Sequence, residues 1–176
     1  MASRAGTFTF TELQMVTSLG RGEIRECVNR TIISAPAGVG QGNHRGYSKW
    51  NLVEGVIAAA LLRHIRAGSV AGVMTRLRWT LMALGINPEA YCTAPEEFNF
   101  SGFMVHFPPR TKPDDKAEFG EDIGQGEFLT TEARATRQPH VGPSLTSDTS
   151  STAFCSLPID LEQAVLFVNH MIETRL

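Results

Sequence analysis

Apolar positions in the first third of the chain recur at helical spacing in two short runs, give way to glycine, and return as one long run. Leu13 and Val16, behind a Thr of the kind that caps helices, predict a short amphipathic helix opening at Thr11-Glu12-Leu13. Ser18-Leu19-Gly20 interrupts it, and Ile24 and Val28 mark the inner face of a second short helix from Arg21 or Gly22 to about Arg30. Two short helices joined by a tight glycine-containing turn form a helix-turn-helix candidate. The β-branched Ile32-Ile33, followed by Pro36, Gly38, Gly40 and Gly42, reads as a strand, a flexible loop and a return strand ending near Tyr47. Ser48 is then placed to cap a helix over 49–66. A further helix is expected over 69–84, where Val70, Met74, Leu77, Leu81 and Leu84 alternate spacings of four and three. That two-heptad seam suits either packing inside one domain or a dimer contact.

Beyond it the pattern changes. Asn87-Pro88 should stop the helix, and Thr93-Ala94-Pro95-Glu96-Glu97 turns the composition to proline and acid, which places a domain boundary between a module at 7–86 and a second at 96–176. In the second module an aromatic strand is expected over 98–107, with Phe103, Val105 and Phe107 alternating, and weaker strands at 126–131 and 153–157. The charged, Pro-rich stretch 108–116 and the Ser, Thr, Pro and Gly-rich stretch 137–152 have loop composition, mobile in the second case. A closing helix over 160–174 carries Leu161, Ala164, Val165, Val168, Met171 and Ile172 on one broad face. The fold class expected is α+β: a mainly helical first module with a β-hairpin, then a small α+β module.

A chain of 176 residues, 42% hydrophobic and 19% charged, has the make-up of a soluble globular protein. The overall charge of -2 conceals an asymmetry. Residues 1–90 carry ten Lys and Arg against five Asp and Glu, a net of +5, and residues 91–176 carry six against thirteen, a net of -7. A basic half fits a polyanion and an acidic half repels one, although two solvated surfaces would look the same. Cys27, Cys92 and Cys155 are odd in number and form no Cys-x-x-Cys, which argues against a disulfide scaffold or zinc module and for a reducing, cytoplasmic setting. Residues 1–6 lack a charged segment followed by an apolar one, and the longest apolar run, 52–62, is too short to span a bilayer and contains Glu54. Neither a secretion signal nor a membrane anchor is expected.

The basic half supplies the candidate chemistry. Arg21, Arg25 and Arg30 share roughly one side of the second helix, and His44, Arg45, Tyr47 and Lys49 gather at the hairpin exit, with Arg45 and Tyr47 on one face of an extended arm. Such groups suit phosphate contacts, which set affinity and register without reading sequence. Each has a plainer reading: Arg25 as an ordinary exposed helix charge, Tyr47 as cover for the apolar side of the hairpin, His44 as a loop residue. Trp50 and Trp79 are expected in the core.

Taken together, Thr11-Glu12-Leu13 with Val16-Thr17, Ile24-Arg25, and Arg45-Gly46-Tyr47-Ser48 followed by Leu52 resemble, over roughly residues 8–66, the winged helix-turn-helix DNA-binding domain of the MerR (mercury-resistance regulator) family. The resemblance implies a sequence-specific transcriptional regulator that binds double-stranded DNA as a homodimer, with RNA polymerase a candidate contact. It implies Arg25 at a phosphate or base edge in the major groove, and Arg45 and Tyr47 on the flanking backbone from the wing. Glu26 and Cys27 stand where the family often carries an aromatic pair, and the hairpin is longer and richer in glycine than the usual wing. The second module would serve dimerisation or effector sensing; the residues name no effector. Alternatives are an excisionase-like architectural DNA-binding factor and a protein-interaction adaptor without nucleic acid, in which the first half recognises an acidic partner.

Other chemistry finds little support. Gly38-Val39-Gly40-Gln41-Gly42 does not complete a dinucleotide fingerprint, since the third glycine would fall on Asn43 or Arg45. The acidic run 114–127 lacks calcium-loop spacing. His106, His140 and His170 are dispersed, and no Gly-x-Ser-x-Gly surrounds Ser101, Ser144 or Ser156. No enzyme, cofactor or metal site is expected.

Overall fold

The computed structural model describes residues 7–36, 46–98, 100, 102–107, 127–129 and 155–176. Its architecture is α-rich: helices α1 (Phe10–Thr17), α2 (Arg21–Asn29), α3 (Lys49–Leu62), α4 (Ala67–Ala83) and α5 (Pro88–Thr93), a 3-10 turn at Pro95–Glu97, strands β1 (Gly102–Phe107), β2 (Glu127–Leu129) and β3 (Cys155–Asp160), and α6 (Leu161–Arg175). The stretches expected as loops at 108–116 and 137–152 lie outside the described residues.

Helix α3 is the axis of the molecule. It buries Trp50, Asn51, Leu52, Val53, Glu54, Gly55, Ile57, Ala58, Ala59 and Leu61, which is burial on every side, and α1, α4, α5 and α6 all pack on it. Its start follows the sequence expectation: Ser48 Oγ accepts from Asn51 N–H at 3.2 Å while Asn51 Oδ1 accepts from Ser48 N–H at 2.9 Å. It ends at Leu62, four residues before the expected limit, where the His64 and Ile65 N–H groups both turn back to the Leu61 carbonyl.

The cap of α1 is Thr9, not Thr11. Thr9 Oγ1 accepts from Glu12 N–H and a Glu12 carboxylate oxygen accepts from Thr9 N–H at 2.6 Å, so the residue three positions ahead of the glutamate wins the cap. The corner to α2 is tight: Ser18 takes φ 58°, Leu19 is buried, and the Glu23 carboxylate accepts from Gly20 N–H. On α2 the buried face is Ile24 and Cys27, with Val28 only partly covered.

Ile32-Ile33 is not a strand. Both residues are fully buried in the turn after α2, and the partner of Tyr47 is instead Phe8, ahead of α1, through reciprocal backbone hydrogen bonds of 2.7 and 2.8 Å. β-branched residues here serve burial at a helix end, a use that propensity alone does not distinguish from a strand. Residues 37–45 lie outside the described residues.

The α4 seam faces inward. Val70, Met74, Leu77 and Leu81 are all fully buried within the chain, and Leu84 lies past the helix end and is exposed. Of the two readings of the seam, internal packing is the one observed. Trp79, expected in the core, is 67% exposed, because it sits two residues past Leu77 and so about 200° around the helix from it.

Asn87-Pro88 opens a helix where a linker was expected. Asn87 Oδ1 accepts from the Glu89 and Ala90 N–H groups and Pro88 occupies the first helical position, so the pair ends α4 and starts α5 at once. Tyr91 and Cys92 are fully buried, and Tyr91 donates its hydroxyl to the Phe100 carbonyl at 2.7 Å. The sheet is antiparallel in the order β2-β1-β3. A Cβ on Gly102 would come within 2.1 Å of the Ile159 carbonyl oxygen, so β1 and β3 approach there as only glycine allows. Asp160 caps α6, whose Leu161, Val165 and Val168 are fully buried in the same core as α3. The change of composition near residue 90 is therefore not a break in packing.

Candidate nucleic-acid interface

Arg21 and Arg25 lie on the exposed side of α2, about 40° apart at roughly 100° per residue, so their guanidinium groups share an edge of the helix. Arg30 does not join them. It caps the far end of α2, where its Nε donates to the Glu26 carboxylate, and this pair takes the opposite edge. Glu23 is exposed on the same helix, so the outer face of α2 is mixed in sign. Three arginines sharing one side is therefore corrected to two on one edge and a neutralised third.

Of the residues expected at the hairpin exit, Tyr47 and Lys49 lie among the described residues. His44 and Arg45 lie outside the described residues. Tyr47 is 3% exposed, with its ring centroid 6.4 Å from that of Phe10, so the ring covers the inner side of the arm and does not reach out toward a phosphate. Its apolar body favours burial once the backbone bridge to Phe8 fixes the register. Lys49, first residue of α3, is half-buried, and its charge opposes the rise of the Cys92 thiol pKa, which places it toward α5.

The most organised polar site is one that sequence reasoning passed over. Glu54, wholly buried in α3, accepts from Ser34 N–H at 2.6 Å, Ser34 Oγ at 2.9 Å, Trp50 Nε1 at 2.8 Å, Asn51 Nδ2 at 3.5 Å and Arg78 Nε at 2.7 Å. Arg78 then uses its other nitrogens on the backbone: Nη1 donates to the Thr31 carbonyl and Nη2 to the Ile32 carbonyl, each at 2.7 Å. Asn51 Nδ2 adds a bond to the Ser34 carbonyl at 3.1 Å. A buried carboxylate is tolerable only when its lone pairs are met, and here they are. The sequence signal was Trp50 and Asn51 four and three residues before a lone acid in an apolar run, both able to donate to it. With no exposed surface, Glu54 offers a substrate no access, and its role is to hold residues 31–34 against α3 and α4.

The Cys27 and Cys92 thiols are protected. Burial, reinforced by Glu23 and Glu26, pushes Cys27 up to about 11, and burial together with Glu89 pushes Cys92 up to about 12, so neither is a thiolate near neutrality. Among the described residues, no three His, Cys, Asp or Glu come together as a metal site. No helix among them is long and apolar enough to cross a membrane. No family model matches the chain, and no curated protein matches it either.

Proposed function

We propose that the chain is a winged helix-turn-helix regulator of MerR-like type that binds duplex DNA, with α2 as the helix that meets the groove. The observation that carries the reading is the tight α1–α2 corner set on α3, which buries Ile24 and Cys27 and leaves Arg21 and Arg25 together on the outer edge of α2. The element order adds support: two short helices, a backbone bridge between Phe8 and Tyr47, then a long capped helix. One such module covers a short half-site, so two copies on a symmetric operator are part of the proposal.

The test is a titration of the full chain with a mixed-sequence duplex at rising salt. Affinity should fall by at least about a hundredfold between 50 and 200 mM salt, and Arg21→Gln with Arg25→Gln should flatten the salt slope by about two for each copy bound. Binding that ignores salt, or a slope unchanged in the double variant, defeats the proposal. The acids Glu23 and Glu26 on the same face favour a second reading, an adaptor that binds a basic protein partner in place of the acidic one expected from the charge of the first half. It gains if the full chain binds no duplex at low salt.

A further inference from the structure

The end of α2 is a left-handed turn without glycine. Thr31 has φ 56°, its N–H donates to the Val28 carbonyl at 3.1 Å, and the Ile32 N–H donates to the Cys27 carbonyl at 2.8 Å, the paired bonds of a Schellman ending. A β-branched residue there is strained, because its Cβ crowds the following carbonyl oxygen. The same chain ends α4 with the same pair of bonds, Gly85 N–H to Met82 and Ile86 N–H to Leu81, and there the left-handed position is a glycine at φ 68°. What distinguishes the Thr31 ending is the side chain that grips it: Arg78 holds the carbonyls of Thr31 and Ile32 while Glu54 seats Arg78 and takes the Ser34 N–H. Among the described residues no strand pairing fixes 31–36, since the arm at Tyr47 pairs with Phe8.

We propose that Arg78, seated on Glu54, is a positioning residue for the nucleic-acid surface: it clamps the strained turn at Thr31 and thereby sets how α2 ends and where the chain leaves it for the arm. This rests on the DNA-binding reading above. A lysine could keep the charge beside Glu54 but could not hold two carbonyls and a carboxylate at once, because the planar fork is what spans them. A glycine at position 31 would adopt the left-handed turn without the clamp.

These two substitutions make the test, with the full chain and a mixed-sequence duplex as probe. Arg78→Lys should bind about tenfold more weakly at low salt, with the salt slope reduced by about one. Adding Thr31→Gly should bring affinity back to within about threefold of the parent chain, the coupling expected of residues acting on one turn. Arg76→Lys, the same change on the exposed stripe of α4, should leave binding unchanged. A purely structural role would lower the melting temperature, with recovery by Thr31→Gly, and leave affinity and slope unaltered. The proposal is overturned if Arg78→Lys binds like the parent, if Arg76→Lys loses as much, or if Thr31→Gly rescues nothing. Should Arg78→Lys fail to fold, Glu54→Gln carries the same test, since its single amide oxygen can still accept from Ser34 Oγ and Trp50 Nε1 while the charge that seats Arg78 is removed; an unchanged slope there overturns the proposal too. A parent chain that binds no DNA defeats the functional reading itself, an outcome distinct from a parent and variant that bind alike.

Discussion

Arg30 meets Glu26 on the solvent side of α2 with half of each side chain exposed, whereas Arg78 meets Glu54 between α3 and α4 with 23% and none of the side chain exposed. The residue types are the same. The first pair is separated by one helical turn and water can replace either partner, so it is worth about 0.3–0.5 kcal/mol. The second spans 24 residues, and Glu54, wholly buried, has further bonds that water cannot reach to replace. Its value lies in what is lost when one member goes, since an unpaired buried charge costs about 3–5 kcal/mol even where an apolar exchange of both would be nearly neutral. These two ion pairs therefore divide by burial into one that holds the fold and one that shapes the surface charge.

The most direct way to break the comparison is Glu54→Ala. It strands Arg78 and leaves the Ser34 N–H and Trp50 Nε1 without their acceptor, and the expected loss is about 3–5 kcal/mol in urea denaturation. A loss below about 1 kcal/mol would place the pair in the same class as Arg30 and Glu26. Next in size is Gly55→Ala, beside the carboxylate on α3. A Cβ there would sit 2.6 Å from Thr17 Cγ2 and 3.1 Å from Leu13 Cδ1, and Thr17 is pinned by its own bond to the Leu13 carbonyl. Overpacking of about 1–3 kcal/mol should outweigh the gain of about 1 kcal/mol in helix propensity. A stabilised variant would show that α1 can slide on α3, and that the setting of the buried pair is less rigid than its geometry implies.

Why one pair was legible and the other was not follows from distance along the chain. Helices with a local signature could be read: the Ser48 cap of α3, the Leu161, Val165 and Val168 face of α6, and the apolar seam of α4, though not whether that seam packs within the chain or on a second copy. Features that depend on remote partners could not. Glu54 gave no hint of Ser34 twenty residues before it or Arg78 twenty-four after it, and a lone acid in an apolar run looked only like an interruption. Ile32-Ile33 looked like a strand because burial at a helix end and burial in a sheet draw on the same side chains. Asn87-Pro88 looked like a boundary because the chemistry that stops one helix also starts the next. At the candidate interface, Arg21 and Arg25 were placed correctly on exposed helix, while Tyr47 was misplaced because an aromatic ring serves a core and a surface equally well.

A neutral buried bond should fall between the two pairs. Tyr91 donates to the Phe100 carbonyl at 2.7 Å beside the rings of Phe98 and Phe100. Tyr91→Phe keeps the ring contacts and removes the donor, so the expected loss is about 1 kcal/mol, measured by thermal or urea denaturation. A loss as large as that of Glu54→Ala would mean that burial alone, and not charge, sets the scale.

The smallest change in stability should come from Glu26→Gln, and it reads the other side of the comparison. An exposed pair at one-turn spacing leaves the melting curve within about 0.5 kcal/mol of the parent. The charge on the outer face of α2 nonetheless becomes more positive by one unit, and Arg30 is released toward solvent. If that face meets phosphate, affinity for a mixed-sequence duplex at low salt should rise a few-fold and its salt dependence steepen by up to about one. The same substitution should weaken an adaptor that uses α2 to engage a basic partner. Stability and binding therefore separate cleanly at Glu26, and the direction of the binding change distinguishes the two readings of this helix.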